Sequence, residues 1–142
     1  MKAFFDTSVL VPVFYRPHTH HQESMKLFLQ ADKQTACCGV HSLAELYSTV
    51  TRMPRRINGD QAMVLVAEIR ERLSIVALDV GEYVRALEKS AALGISGGSI
   101  YDALLAACAI KAGAETIYSW NMRITRCLAR RWRPGCGDRR SG

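Results

Sequence analysis

The sequence contains no apolar run approaching the ~20 residues that a membrane-spanning helix needs. Its first six residues carry one positive charge and then an acid, a pattern too short and too acidic for a secretory signal. Its five cysteines are odd in number and form no C-x-x-C pair, which argues against a disulfide framework and against a zinc site. We therefore expect a protein of the cytoplasm.

An excess of positive charge is missing from most of the chain. Lys and Arg number 19 against 13 Asp and Glu, which gives a net charge of +6. Residues 1–122 hold equal numbers of bases and acids, so the whole excess lies in residues 123–142. We expect a balanced folded body followed by an atypical basic tail. The tail either contacts phosphates or is a solvated extension.

At 142 residues, the chain has the length of one domain, and its strand and helix patterns alternate. The predicted strands are Lys2–Phe5, Thr35–Val40, Ser74–Leu78 and Thr116–Ser119. The first three predicted helices are Val9–Tyr15, Glu23–Ala31 and Ser42–Met53. The other three begin at the predicted caps Asp60, Asp79 and Ser99, and they end at Leu73, Leu93 and Ala112, respectively. This alternation predicts an α/β fold over residues 1–122, in which helices sandwich a parallel β-sheet.

Apolar periodicity predicts which side of two of these helices faces the core. The expected inward residues of the second helix are Met25, Phe28 and Leu29. Those of the long fourth helix are Met63, Val64, Val66, Ala67 and Ile69. Cys37, Cys38 and Cys108 lie in apolar stretches and are expected to be small core residues.

Three acids stand where a parallel sheet binds ligands, outside the carboxyl ends of its strands. Asp6 directly follows the first strand, and Glu45 lies one turn into the helix after the second. Asp102 lies in the first turn of the helix before the fourth strand. Converging carboxylates repel one another and need a cation, and hard oxygen ligands suit Mg²⁺ or Mn²⁺. Such a site can activate water for attack on a phosphodiester.

Each acid also has a purely structural interpretation. The spacing Ser42-x-x-Glu45 matches a helix capping box. The spacing Ser99-x-x-Asp102 is a weaker version of it. Asp6 fits an Asx-turn or a helix cap. The combination nevertheless favours a site, because Asp6 ends a buried strand and Asp102 lies in an apolar helix start, where an isolated carboxylate is costly.

Four segments resemble, in order, the motifs of the PIN-domain family. Residues 5–10, FDTSVL, resemble its opening D-[TS]-[SN] motif, and residues 42–47, SLAELY, its second acidic motif. Residues 100–109, IYDALLAACA, resemble its third, D-[AS]-x-[IL]-[AV]-A. Residues 116–121, TIYSWN, resemble its last strand with a T-x-[ND] ending. Each motif is weak alone, but four in register are specific, and they resemble those of VapC-type toxin ribonucleases.

The resemblance implies a Mg²⁺-dependent endoribonuclease, with Mn²⁺ as the alternative ion. It would be the toxin of a type II toxin–antitoxin pair and would hydrolyse RNA phosphodiesters with a metal-activated water. Carried over to this sequence, it makes Asp6, Glu45 and Asp102 the metal ligands and catalytic residues. Supporting roles would fall to Thr7 or Ser8, which would position the metal or a water, and to Asn121 at the edge of the site.

The resemblance also implies partners, namely an RNA substrate, a cognate antitoxin and a second copy of the chain in a homodimer. The helix Asp60–Leu73 would contribute an apolar face to the dimer. Arg52, Arg55 and Arg56 flank Pro54 in a loop after the helix of Glu45. We expect them either to contact RNA phosphates or acidic groups of the antitoxin, or to be ordinary solvated residues.

Tryptophan and histidine give weaker signals. Trp120 and Trp132 are candidates for stacking on RNA bases. Trp120 stands at a strand end, which favours packing at the sheet rim instead. His18, His20 and His21 lie in a polar segment without a matching ligand, so a metal site there is a minor alternative.

After Asn121 the sequence departs from the family pattern. Relatives commonly continue N-x-x-[DH]-F, whereas position 124 is Ile and the next acid is Asp138. A change of reading frame after about Arg123 would explain the difference. Encoding nucleotides that give no such continuation when read one base shifted would exclude it. Three acids and one amide place less negative charge around a metal, so we expect weaker metal affinity.

Two alternatives to an active ribonuclease follow from the same residues. The missing fourth acid suggests a PIN module that binds RNA or an antitoxin without turnover. A different α/β phosphoryl-transfer enzyme is the second alternative. A phosphatase with an aspartate nucleophile would need an acid at position 8, which is Ser8, and a phosphate-binding loop would need glycines after the first strand.

Overall fold

Four short parallel strands form the centre of the fold, which a computed structural model describes over residues 3–121. They are β1 (Ala3–Phe5), β2 (Ala36–Gly39), β3 (Ser74–Val76) and β4 (Thr116–Tyr118). Their order in the sheet is β3-β2-β1-β4. Ala3 pairs with Ala36 on one side and with Thr116 on the other. Because all strands run in one direction, their carboxyl ends meet at one edge of the sheet.

Helices cover both faces of this sheet. Within residues 3–121 they are α1 (Thr7–Val13), α2 (His21–Leu29), α3 (His41–Val50), α4 (Gly59–Arg72), α5 (Val80–Ala92) and α6 (Ser99–Lys111). The predicted α/β sandwich is thereby confirmed. In this part of the chain, none of the helices is long and apolar enough to cross a membrane. The predictions made for residues 123–142 concern residues that lie outside the described range.

Neighbouring residues of a strand point to opposite faces and build two cores. Phe5 and Cys38 belong to the cluster beneath α1 to α4, whereas Phe4 and Cys37 belong to the cluster beneath α6. Burial raises the pKa of the Cys37 thiol to about 11, that of Cys38 to about 12 and that of Cys108 to about 11. These cysteines are therefore protonated core residues, as predicted.

Of the helix caps predicted at Asp60, Asp79 and Ser99, the cap at Asp79 is confirmed. Its side chain accepts a hydrogen bond from the Glu82 backbone N–H at 2.8 Å, and the Glu82 side chain completes a capping box. The prediction of Asp60 is wrong, because Asn58 caps α4 through a reciprocal pair of bonds with Gln61. The prediction of Ser99 is also wrong, because α6 starts at Ser99 itself, without a side-chain cap among the described residues.

The predicted inward sides of α2 and α4 are partly wrong. Phe28 is buried, but Leu29 is exposed. In α4 the buried stripe is Ala62, Val66 and Ile69, whereas the expected inward residues Met63, Val64 and Ala67 are exposed. The buried residues are spaced four and three apart and so share one side of the helix. An apolar surface is left on the outer side of α4, where the predicted dimer contact stays a prediction.

Candidate active site

Hydroxyl groups from two elements hold the carboxylate of Asp6 just beyond the end of β1. Its Oδ2 atom accepts hydrogen bonds from Ser8 Oγ at 2.6 Å and from Ser119 Oγ at 2.9 Å. Asp6 also caps the N-terminus of α1 and is only 2% exposed. Phe5 pairs with Tyr118, so the residues that follow β1 and β4 must meet. Asp6 is thus fixed at the carboxyl edge of the sheet.

The carboxylate of Glu45 points across to α1 rather than back along its own helix. The Thr7 hydroxyl oxygen lies 2.9 Å from Glu45 Oε1 and 2.8 Å from Ser42 Oγ. The capping-box interpretation of Ser42 and Glu45 is wrong, because α3 follows Val40 with no side-chain cap found in the described part of the chain. Glu45 is therefore hydrogen-bonded to Thr7, the residue after Asp6, and does not cap its own helix.

Asp102 lies buried in the first turn of α6. Its interpretation as part of a cap is wrong, since α6 follows Gly98 with no side-chain cap recorded within residues 3–121. The rings of His41 and Tyr101 stack in parallel with their centroids 5.0 Å apart, which holds the start of α3 against the start of α6. Asp102 and Glu45 are therefore brought to the same edge of the sheet as Asp6.

Burial and neighbouring charges both act on the carboxyl group of Glu45. The pKa of Glu45 is raised above its ordinary value of 4.5, chiefly because the carboxyl is partly buried. The hydrogen bond from Thr7 and the charge of His41 lower this pKa, whereas the negative charges of Asp6 and Asp102 raise it. A cation among them would relieve both the repulsion and the cost of burial.

The chemistry of this donor set fits a divalent cation, although the side chains do not surround one. Carboxylate and hydroxyl oxygens are the ligands that Mg²⁺ and Mn²⁺ prefer. Among the residues that the structure describes, no group of three Asp, Glu, His or Cys side chains is arranged to hold a metal ion. In this structure the Asp6 carboxylate accepts hydrogen bonds from Ser8 and Ser119, and the Glu45 carboxylate accepts one from Thr7.

We expect Glu45→Gln to increase the free energy of unfolding of the metal-free protein near neutral pH. Because the folded-state pKa is raised, the folded protein holds this proton more tightly, and stability is lost as pH rises from 4.5 through the raised pKa. Gln is neutral and still accepts from Thr7. Urea denaturation in EDTA between about pH 4 and pH 8 measures the difference, which should vanish in acid.

The matched control for this stability measurement is Glu88→Gln, which neutralises an exposed acid on α5. It should leave the free energy of unfolding nearly unchanged across the pH range. A gain for Glu45→Gln that grows as pH falls would contradict the expected coupling.

Ser119 belongs to this group, although its position in the sequence marks it only as the end of a predicted strand. Its hydroxyl contacts the Asp6 carboxylate and accepts a hydrogen bond from the Asn121 backbone N–H at 2.9 Å. The pairing of β1 with β4 explains the contact between Ser119 and Asp6. Because Phe5 is paired with Tyr118 in parallel strands, the next residues, Asp6 and Ser119, lie side by side. Asn121 reaches the edge of the site through this backbone contact.

Trp120 packs at the sheet rim, as predicted. Its indole N–H donates to the buried Ser24 hydroxyl at 3.1 Å, and its backbone N–H donates to Ser8 Oγ at 2.9 Å. The His20 ring stacks on it with centroids 3.9 Å apart. His18 accepts a bond from the His20 backbone, and His21 Nδ1 lies 2.7 Å from the Pro12 carbonyl oxygen. These histidines therefore shape the loop before α2.

Three arginines are predicted either to contact RNA phosphates or acidic groups of an antitoxin, or to be ordinary solvated residues. Arg52, Arg55 and Arg56 are exposed in the turn between α3 and α4. Arg52 follows Glu45 by seven residues, which is roughly 10 Å of helical rise. Their contact with RNA phosphates or with an antitoxin stays a prediction.

Fold and site together define an α/β protein with an acidic centre at the carboxyl edge of a parallel sheet. Residues 3–126 match the family model of the PIN domain. The chain is also 36% identical to Ribonuclease VapC27 of Mycobacterium tuberculosis over 113 residues, and this aligned region covers 78% of each chain. The chain therefore belongs to the PIN-domain family.

Solved structures show the same fold at low sequence identity. The toxin VapC20 of Mycobacterium tuberculosis, described as cleaving the sarcin–ricin loop, superposes with a TM-score of 0.72 at 16% identity, over 88% of this chain and 94% of that one. VapBC-1 of nontypeable Haemophilus influenzae gives a TM-score of 0.61 at 16% identity, over 94% and 97% of the two chains.

Proposed function

We propose that this protein is a divalent-metal-dependent endoribonuclease and the toxin of a type II toxin–antitoxin pair. The observation that carries the proposal is the placement of three acids from different elements at one sheet edge, where Thr7 links Glu45 to the residue after Asp6 and the His41–Tyr101 stack holds the helix of Asp102 against that of Glu45. Mutual repulsion in a partly buried place is costly for a structural role alone. Membership of the PIN-domain family and the similarity to Ribonuclease VapC27 support the same activity.

Each residue of the site has a defined task in this proposal. Asp6, Glu45 and Asp102 hold Mg²⁺ or Mn²⁺. When bound, the ion supplies water activation and neutralises charge on the phosphodiester during attack. Ser8 and Ser119 fix the orientation of the Asp6 carboxylate, and Thr7 fixes that of Glu45. Such supporting contacts typically affect metal affinity by roughly 10- to 100-fold.

Partners and location complete the proposal. A cognate antitoxin is the proposed protein partner, and the fold shared with VapBC-1 supports it. The proposed location is the cytoplasm. We also propose a homodimer, for which the exposed apolar side chains Met63 and Val64 on α4 offer a contact surface. Arg52, Arg55 and Arg56 would contact phosphates of the RNA or acidic groups of the antitoxin.

Removal of divalent metal should abolish RNA cleavage. Purified, antitoxin-free protein is incubated with end-labelled structured RNA in MgCl₂, in MnCl₂ or in EDTA, and the products are resolved on denaturing gels. Cleavage in either metal should leave 5′-phosphate and 3′-hydroxyl ends. It should cease in EDTA, because the three acids then have no bound cation to activate the water.

Two results would contradict the proposed function. Cleavage that persists in EDTA would exclude metal dependence. Metal binding without cleavage of any RNA, at any metal concentration, would identify a PIN module that binds without turnover. Isothermal titration of the metal alone distinguishes this second result from a simple failure to bind the ion.

A further inference from the structure

The rings of His41 and Tyr101 form a stacked pair in which Tyr101 stays exposed to solvent. They are parallel within 6°, with centroids 5.0 Å apart, which is the offset arrangement that aromatic rings prefer. Tyr101 remains 48% exposed, although the helix that carries it is otherwise largely buried. His41 therefore stacks on the tyrosine ring without burying it.

This pair lies beside two of the three acids. Tyr101 directly precedes Asp102 in α6. His41 begins α3 and stands one helical turn before Glu45, on the same side of the helix. A phosphate held at the acids would therefore have a neighbouring base within reach of the exposed ring of Tyr101.

We propose that the exposed ring of Tyr101 is the stacking surface for one base of single-stranded RNA next to the cleaved phosphate. The inference rests on the proposed ribonuclease function. Unpaired RNA bases are commonly recognised by stacking on aromatic side chains, and such stacking tolerates different bases. His41 is a positioning residue, because its ring fixes the tyrosine ring before RNA arrives and so reduces the ordering needed on binding.

The second stacked pair, His20 and Trp120, does not provide an equivalent surface. Trp120 is half-buried, packs against the larger core cluster and is bonded at both its indole and backbone N–H groups. These contacts tie the loop before α2 to the segment after β4. Trp120 therefore has a packing role, whereas the ring of Tyr101 is presented to solvent.

The substitution that tests the stacking surface is Tyr101→Leu, which keeps an apolar side chain but removes the ring. Fluorescence anisotropy measures binding of fluorescein-labelled single-stranded RNA in MgCl₂, in an Asp6→Asn background that prevents cleavage. We expect the Kd to rise about tenfold or more for Tyr101→Leu and to stay within about twofold for Tyr101→Phe. Tyr83→Leu is the matched control, because Tyr83 is 43% exposed on α5, away from the acids.

A coupling measurement separates stacking from a structural role. Replacing one nucleotide at a time with an abasic one should weaken binding at a single position, and that loss should disappear in Tyr101→Leu. Additive losses at every position, or an unchanged Kd for Tyr101→Leu, would overturn the proposal.

If the wild-type protein cleaves RNA and the Tyr101→Leu variant binds RNA with an unchanged Kd, only the proposed stacking surface is refuted. A protein that neither binds nor cleaves RNA would refute the proposed function as well.

Discussion

Asp6→Asn is expected to slow RNA cleavage by roughly a thousandfold while leaving the fold intact. A metal ion contributes several kcal/mol to phosphodiester hydrolysis, and each ~1.4 kcal/mol corresponds to a factor of ten in rate. Asn has the same shape and still accepts a hydrogen bond, so the contacts with Ser8 and Ser119 can persist in part. What is lost is the negative charge, which should be measured as single-turnover cleavage at saturating MgCl₂.

Asp79→Asn is the matched control for that experiment. Asp79, like Asp6, caps a helix through its carboxylate, but it lies on the exposed start of α5. Its substitution should leave the cleavage rate within about twofold, because a cap bond to Asn is nearly equivalent. Full activity of Asp6→Asn would refute the assignment of Asp6 as a metal ligand.

The convergence of Asp6, Glu45 and Asp102 could be predicted from the sequence, because each acid follows a strand or begins a helix and parallel strands end at one edge. The hydrogen bonds that orient them could not. The spacing of Ser42 and Glu45 matches a local cap, yet Glu45 bonds to Thr7, 38 residues away in sequence. Local patterns carry no information about a competing partner on another element.

Features of the fold that depend on local sequence were predictable, whereas those that depend on distant partners were not. Strand positions follow from short apolar runs, and all four predicted strands were found with slightly shorter bounds. The buried side of α4 was not predictable from apolar residues alone, since Met63 and Val64 are as apolar as Val66. The side that packs carries Ala62, Val66 and Ile69, and its neighbours lie on elements distant in sequence.

Leu105→Ala is expected to lower the free energy of unfolding by about 3 kcal/mol, within the range for buried leucines. Leu105 is buried in the cluster with Phe4, Cys37 and Ile117. A Cβ atom on Gly39 would lie only 2.8 Å from Leu105 Cδ2, which shows how closely α6 approaches β2. Truncation therefore leaves a cavity, and urea denaturation measures the resulting loss of stability. The control is Ile110→Ala at an exposed position on α6, which should lower the free energy of unfolding by about 0.5 kcal/mol or less.

The cavity also links packing to the active site. Leu105 follows Asp102 by one helical turn, so a loosened α6 should weaken the metal site, and Leu105→Ala should need more MgCl₂ for half-maximal cleavage. Adding Gly39→Ala should restore part of the lost stability, because the new methyl group occupies the space that Leu105 vacates. A further loss of stability in the double variant would show that the strand end cannot take a Cβ, and the packing argument would fail.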